Sequence, residues 1–266
     1  MLLLALASVS SGLPASLPAA IAQPSPAAPS GTPPAADDAT LRMRQLVAAS
    51  DRSEEDRALD AGRRPAELLA FLAVRPGMRV AELGAGGGYT SELLARAVGE
   101  TGRVYAQNPK VFLERFAEAP WSERLKKPVM APVVRVDREF DDPLPPEAKS
   151  LDLVVMVLVY HDTVWMQADR RKMLAAILAS LKPGGYFCVV DHSARAGSGL
   201  ADVQTFHRID EKTLRDEVEH AGFRFVAEAN FLRNPGDTRD WNDSPRQAGD
   251  RRGTSDRFAL KFARPG

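Results

Sequence analysis

The sequence is short of three features that would assign it to a familiar class. Its single cysteine, Cys188, lies in an apolar run and cannot form a disulfide within the chain, so we expect a buried thiol. Neither charge is in excess, because 35 Lys and Arg balance 35 Asp and Glu, and this argues against nucleic acid as a partner. Pro14 and Pro18 interrupt the apolar N-terminal stretch, so no membrane span is expected there.

The N-terminal stretch resembles an export signal. Residues 1–22 carry no charge and are rich in Leu, Ala and Ser. The triplet Ala20-Ile21-Ala22 is a small-x-small pattern of the kind that precedes signal-peptide cleavage. We therefore expect a signal peptide over residues 1–22 and a periplasmic or secreted protein, although no Lys or Arg precedes the apolar run. The alternative is an Ala- and Pro-rich leader on a cytoplasmic protein.

A linker and a single domain follow this leader. Residues 23–36 are mostly Pro, Ala, Ser, Gly and Thr, a composition that cannot bury a core. Residues 37–266 then have the length of one domain with a helical extension at its start, where Asp37 or Thr40 is expected to cap the first helix. The densely charged segment 50–64 is either a solvated helix or a lid over a ligand mouth, and the sequence leaves both open.

From Val80 onward, apolar strands alternate with segments of helical period. Such alternation predicts an α/β fold in which a mainly parallel sheet carries helices on both faces. No crossover helix separates the last two strands, so the last strand is expected to be antiparallel. The predicted strands are 78–83, 102–106, 129–136, 151–159, 186–191, 223–227 and 257–262. Among the helices, we predict 89–98, one opened by Pro109 with Phe112, Leu113 and Phe116 on one face, 164–181, and one from Asp210 to His220 with Gly222 past its end.

The first strand runs directly into a glycine-rich turn and a helix. Glycine allows the positive φ angles of a tight turn, and without a Cβ the backbone can approach a ligand closely. The N–H groups that open the helix then point towards that ligand. Dinucleotide-binding proteins use G-x-G-x-x-G/A, but the third position here is Tyr89, so that pattern fails. The pattern G-x-G-x-G fits instead, preceded by an acidic residue; the residues concerned are Glu82, Gly84, Ala85, Gly86 and Gly88.

This motif resembles the first motif of the class I S-adenosylmethionine-dependent methyltransferases. The segment Leu-Lys-Pro-Gly-Gly before the fifth strand and the closing strand pair are also similar to that family, and the resemblance covers about residues 62–264. It implies a Rossmann-like fold, a mostly parallel seven-stranded sheet with an antiparallel last strand, S-adenosylmethionine as cofactor and methyl transfer as the reaction. Within that group, the chain resembles a family of predicted bacterial methyltransferases that often carry exported leaders. The resemblance lies in the segments Arg-Pro-Ala-Glu-Leu-Leu, Gly-Gly-Gly-Tyr-Thr-Ser-Glu-Leu-Leu, Val-Tyr-Ala-Gln-Asn, Tyr-His-Asp and His-Arg-Ile-Asp.

The resemblance implies roles for residues at the ends of the first three strands. Glu82 and the glycine turn would hold the methionine part of the cofactor, with Glu82 near its amino group. After the second strand an acidic side chain usually holds the ribose hydroxyls, whereas this sequence has Gln107 and Asn108, amides that can both donate and accept. Asp137, after the third strand, matches the position that faces the adenine amino group; an aspartate that caps a turn or helix is the alternative.

Three of the four histidines follow the fourth and fifth strands, at the edge where open α/β sheets bind ligands. His161 and Asp162 occupy the place where this family has substrate-facing groups. We expect His161, with an ordinary pKa of about 6.5, to act as a base where the acceptor must lose a proton, and Asp162 either to orient it or to bind a cation of the substrate. Together with Asp191, His192 and His207 they have the residue types of a metal site, but the spacing is no known metal signature and no metal is assigned.

Three functions are compatible with these features. Methyl transfer from S-adenosylmethionine to a small molecule is favoured. An oxidoreductase with a nucleotide cofactor is disfavoured by the glycine spacing. The third is an exported protein of the same fold that binds S-adenosylmethionine or a nucleotide without turnover, an alternative that arises because S-adenosylmethionine is made in the cytoplasm. The sequence does not identify the methyl acceptor, and the polar segment 230–253 is a candidate for shaping its pocket.

Overall fold

The structure is a computed structural model that describes residues 36–266. The predicted signal peptide and almost all of the predicted linker lie outside the described residues. The described part of the chain begins with three helices, α1 (Ala36–Val47), α2 (Glu54–Arg63) and α3 (Pro65–Leu72). Asp37 and Thr40 both lie inside α1, so the prediction that the helix begins at one of them was wrong.

A seven-stranded sheet forms the centre of the described domain. Its strands are β1 (Arg79–Leu83), β2 (Arg103–Asn108), β3 (Val133–Asp137), β4 (Leu151–Val157), β5 (Leu181–His192), β6 (Arg224–Ala229) and β7 (Arg257–Ala263). Their order across the sheet is β3-β2-β1-β4-β5-β7-β6. The first five strands run parallel, and β7 lies antiparallel between β5 and β6. The predicted fold class, a mostly parallel sheet with an antiparallel last strand, is confirmed.

The central strands of the sheet are buried on both faces. Successive β1 residues show this, because Val80 packs into one apolar cluster and Ala81 into another, and both are fully buried. Strands covered on both sides are apolar nearly throughout, as β4 is. The helices that cover the sheet after β1 are α4 (Tyr89–Val98), α5 (Lys110–Phe112), α6 (Glu118–Arg124), α7 (Tyr160–Trp165), α8 (Arg170–Ser180), α9 (Ala201–Phe206) and α10 (Glu211–His220).

Several predicted boundaries differ from the structure for local reasons. The third strand begins at Val133, later than predicted, because residues from Pro128 to Met130 form a 3-10 turn. The single helix predicted over 164–181 is two helices: the chain turns at Gln167, whose φ is +57°, and Asp169 caps α8 by accepting a hydrogen bond from the Lys172 amide. The fifth strand begins earlier than predicted, at Leu181, and α9 was not predicted at all.

Phe116 was predicted on a buried helix face, and that prediction was wrong. Residues Leu113–Ala117 form a π-helical turn between α5 and α6, which rotates the side chains that follow Phe112. Phe112 remains in the core, whereas Phe116 is 54% exposed. A π turn inserts one residue into the helical repeat, so a pattern based on 3.6 residues per turn fails across it.

Other local predictions are confirmed. Asp210 caps α10 by accepting a hydrogen bond from the Thr213 amide, and Gly222 follows that helix with a φ of +100°. Cys188 is fully buried, and burial raises the pKa of its thiol to about 12. Within residues 36–266, no helix has both the length and the apolar character needed to cross a membrane.

A buried guanidinium connects the charged N-terminal helix to the rest of the domain. Asp56 of α2 is 5% exposed and accepts hydrogen bonds at 2.6 and 2.8 Å from Arg124. Arg124 also donates to Glu92 of α4 and to the Gly87 carbonyl, each at 2.6 Å. The segment 50–64 is therefore more than a solvated helix, because one of its carboxylates is buried and bound to Arg124, which also binds the glycine turn.

We expect Asp56→Ala to lower the free energy of unfolding by about 3 kcal/mol or more, because it leaves part of the buried Arg124 charge uncompensated. The matched control is Glu55→Ala, on the exposed side of the same helix turn, with an expected change of at most about 0.5 kcal/mol. Chemical denaturation of the two variants measures the difference. Equal stabilities would contradict the role given to this ion pair.

Candidate active site

The glycine turn between β1 and α4 has a left-handed backbone at three positions. The φ angles are +73° at Gly84, +57° at Gly86 and +83° at Gly88. A Cβ at Gly84 would lie 2.5 Å from the Val159 side chain, and one at Gly88 would lie 2.4 Å from that of Trp121. At Gly86 the nearest atom would be 3.8 Å away. The protein's own packing thus requires glycine at the two outer positions, whereas a Cβ at Gly86 would make only an ordinary contact with Phe116.

The two amides at the end of β2 support this turn. The Gly84 amide donates to Gln107 Oε1 at 3.0 Å, and the Gly86 amide donates to Asn108 Oδ1 at 2.7 Å. Asn108 Nδ2 donates back to the Gly86 carbonyl at 3.0 Å, and Gln107 Nε2 donates to the Arg138 carbonyl. Both side chains are fully buried. Gln107 and Asn108 therefore lie beside the glycine turn, as expected, but they hold the turn itself.

Glu82 is the buried acid of the site. Its side chain accepts a hydrogen bond from Ser91 in the first turn of α4, and the residue is 3% exposed. Burial raises the pKa of Glu82 to about 7, because desolvation outweighs the hydrogen bonds of Ser91 and Thr90. A cation that binds next to such a buried carboxyl group stabilises its charged form, so Glu82 fits the role of an ammonium partner.

Asp137 lies beside Asn108 in the sheet register, at the carboxyl end of β3. Its side chain is 45% exposed and pairs with Arg135 at 2.9 Å. Arg135 in turn binds Glu118 of α6 at 2.6 Å. Asp137 is therefore accessible from solvent at the same sheet edge as the glycine turn.

The first turn of α7 brings His161 and Asp162 to the ends of β4 and β5. His161 is fully buried; its Nδ1 lies 2.6 Å from Asp191 Oδ1, and its amide donates to Asp191 Oδ2 at 2.8 Å. Asp162 Oδ1 accepts a hydrogen bond from Trp165 Nε1 at 2.6 Å and lies 3.2 Å from His161 Nε2. Asp191, at the end of β5, is therefore the residue that orients His161, a role that the sequence analysis gave to Asp162.

The rings of the other two histidines at this edge pack against the ring of His161. The ring centroids of His161 and His207 are 4.1 Å apart, and those of His161 and His192 are 5.6 Å apart. His192 Nδ1 faces Ser255 Oγ at 3.0 Å and also pairs with Asp243. The structure thus brings together histidines that are separated by up to 46 positions in the chain.

The surroundings move the pKa values of these groups apart. Burial lowers the pKa of His161, but the attraction of Asp191 and Asp162 outweighs it and holds that pKa well above its ordinary value. Burial and the neighbouring His161 lower the pKa of His207 to about 4. Burial raises the pKa of Asp162, but the charge of His161 more than offsets this and the net shift is downwards. The expectation of a His161 pKa near 6.5 does not hold in these surroundings.

Three contributors to the site were not assigned their roles from the sequence. Arg124 lies 36 positions beyond Gly88 and has no motif around it, so only the fold shows its contact with the glycine turn. Asp191 was noted only as a metal-type residue. His207 sits at the end of the unpredicted helix α9, with a φ of +60°.

The polar segment 230–253 packs next to this edge. Arg208, fully buried, binds Asp237 at 2.7 Å and stacks on Trp241 with 4.5 Å from its guanidinium carbon to the ring centroid. Asp243 of the same segment pairs with His192. The segment therefore contributes to the surroundings of the histidines.

We compare the free energy of unfolding of Glu82→Gln with that of the parent at two pH values. The difference is expected to favour the variant by about 3 kcal/mol more at pH 8 than at pH 4.5. A carboxyl whose pKa rises from 4.5 to about 7 on folding stabilises the fold at low pH, and this contribution is lost as the pH rises through about 7. Denaturation at the two pH values measures the change. The control is Glu114→Gln, at a side chain 62% exposed, and a parallel change in that variant would contradict the prediction.

The methyltransferase-domain family matches residues 54–228, more than half of the chain. No curated protein sequence matches the chain. Its fold is similar to an S-adenosylmethionine-dependent methyltransferase from Aquifex aeolicus, with 17% identity, a TM-score of 0.55, and coverage of 84% of this chain and 97% of that one. A Mesorhizobium loti S-adenosylmethionine-dependent methyltransferase has 16% identity and a TM-score of 0.53, with 77% and 100% coverage.

A glycopeptide N-methyltransferase solved with sinefungin has 19% identity and a TM-score of 0.51, with coverage of 82% of this chain and 89% of that one. At such identities these structures establish the shared fold. Family and fold together support S-adenosylmethionine as the cofactor. The described sheet, its glycine turn and the family match lead to one conclusion: the chain belongs to the methyltransferase-domain family.

Proposed function

We propose that this chain transfers a methyl group from S-adenosylmethionine to a small molecule held at the carboxyl ends of β4 and β5. The observation that carries the proposal is the glycine turn, in which only Gly86 of the three left-handed glycines would accept a Cβ without a clash, together with the buried carboxylate of Glu82 on the preceding strand. The balanced charge of the chain gives no support to a polyanionic acceptor.

The proposed cofactor site uses the ends of the first three strands. Glu82 would bind the ammonium group of the methionine part, and the backbone at Gly86 would lie along its chain. Gln107 and Asn108 would bind the ribose hydroxyls by exchanging some of their hydrogen bonds to the turn, and Asp137 would accept from the adenine amino group. The cofactor supplies a methyl carbon that its positive sulfur already activates.

The proposed acceptor site uses His161 and Asp162 as its catalytic residues. Asp191 holds the His161 ring through Nδ1, and Trp165 holds the Asp162 carboxylate, so both groups keep a fixed direction. Alignment of acceptor, methyl carbon and sulfur accounts for most of the rate that such a site can supply. A proton acceptor is needed only where the acceptor atom carries a proton, and Asp162 is the unprotonated member of the pair.

Calorimetry tests the cofactor part of the proposal. We expect binding of S-adenosylmethionine and S-adenosylhomocysteine and no binding of NAD. In Gly86→Ala the new methyl group lies on the side of the turn proposed to receive the cofactor, so the affinity for S-adenosylhomocysteine is expected to fall about tenfold or more, equivalent to about 1.4 kcal/mol. Its cost in stability should be close to that of Gly184→Ala, since both positions have a positive φ and neither new methyl group meets an atom closer than 3.8 Å.

Gly184→Ala is the control for affinity, because Gly184 lies at the far end of β5, and its binding should equal that of the parent. Preferential binding of NAD, or equal affinities of the Gly86→Ala and Gly184→Ala variants, would contradict the proposed cofactor site. Binding of S-adenosylmethionine without methyl transfer across a broad set of acceptors would favour the alternative, a binding protein of the same fold.

A further inference from the structure

Three side-chain atoms with lone pairs converge at the start of α7. They are His161 Nε2, an Asp162 carboxylate oxygen and a nitrogen of His207, all within 4.8 Å of one another. Asp162 Oδ1 lies 3.2 Å from His161 Nε2 and 3.7 Å from His207 Nε2. Two atoms that bind one ion at about 2.0–2.2 Å come about this close to each other in tetrahedral coordination.

The position of His161 makes this convergence unusual. Its ring is fully buried, and the short contact of Nδ1 with the Asp191 carboxylate means that Nδ1 carries the ring proton. In the neutral ring Nε2 is then an acceptor, and it makes no hydrogen bond although it is shielded from solvent. Its lone pair would face the Asp162 carboxylate oxygen at 3.2 Å, so this buried arrangement requires either a second proton on the ring, which the raised pKa of His161 favours in the absence of metal, or a metal cation between the two groups.

We propose that His161 Nε2, the Asp162 carboxylate and His207 Nε2 bind one divalent first-row transition-metal ion, with Zn²⁺ as the expected occupant. Two imidazoles and one carboxylate suit such ions, whereas Ca²⁺ and Mg²⁺ prefer oxygen ligands. Three protein ligands leave a coordination position for water or for another small molecule, as in catalytic zinc sites.

The surrounding groups have the arrangement that metal ligands commonly have. A metal-binding histidine usually donates its other N–H to a carboxylate, as His161 does to Asp191. Asp162 is held by the Trp165 indole N–H at 2.6 Å. The side chains of His207 and Asp162 are 21% and 12% exposed, so an ion can enter from solvent. His207 follows α9 and adopts the left-handed backbone conformation, with a φ of +60°.

The test is ion binding by the whole chain, which does not depend on methyl transfer. After removal of metals with a chelator, titration with Zn²⁺ is expected to load one ion per chain, measured by elemental analysis after dialysis. Titration with Co²⁺ should give visible absorption bands typical of a nitrogen- and oxygen-coordinated ion. His207→Asn and Asp162→Asn should each weaken Zn²⁺ binding about 100-fold; asparagine tolerates the left-handed backbone at position 207.

The control is His220→Asn, at a histidine on α10 away from this cluster, which should bind Zn²⁺ like the parent. Thermal unfolding without metal shows whether each variant is folded. As a second result, we expect Zn²⁺ to raise the melting temperature of the parent but not that of His207→Asn. Retention of less than about 0.2 equivalents of Zn²⁺ by the parent, at a free Zn²⁺ concentration on the order of 1 μM, would overturn the proposal. So would equal Zn²⁺ affinities for the parent and a folded His207→Asn variant.

Discussion

The guanidinium of Arg124 connects the glycine turn to both α2 and α4. It binds Asp56 of α2, Glu92 of α4 and the Gly87 carbonyl, all at 2.6 Å, from a side chain that is 13% exposed. Glu92 extends the network to Arg96 at 2.6 Å, so opposite charges alternate through the interior. Removing one member of such a buried set commonly costs about 3–5 kcal/mol. The N-terminal helices are thus part of the support for the turn, although they precede the first strand.

A second contact joins the two halves of the site. The chain leaving β4 packs Val159 against Gly84 so closely that no side chain fits there, and His161 follows two residues later. The packing of the Val159 side chain against the Gly84 backbone consequently joins the glycine turn to the histidine cluster. This gives a physical basis for a cofactor on one side of Val159 and an acceptor on the other, because a methyl group can pass only between groups whose positions are fixed.

Much of the fold could be predicted from the sequence, because each parallel strand contains a short apolar run and some helix starts have a recognisable signal, such as Asp210. The differences arise where a local conformation overrides the period: the π turn before Phe116 and the positive φ at Gln167. The spacing of Gly84, Gly86 and Gly88 located the turn, but no spacing could show that Gln107 and Asn108 hold it. Likewise, the pairing of His161 with Asp191 depends on the adjacency of β4 and β5, which a sequence pattern does not specify.

The central claim is that the turn at Gly84–Gly88 receives S-adenosylmethionine, and hydrogen–deuterium exchange tests it most directly. Addition of S-adenosylhomocysteine is expected to slow exchange in residues 84–90 and at Gln107 and Asn108, with no change in β6, while NAD leaves all of these segments unchanged. Unaltered exchange in residues 84–90 at saturating S-adenosylhomocysteine, or equal protection by NAD, would contradict the account.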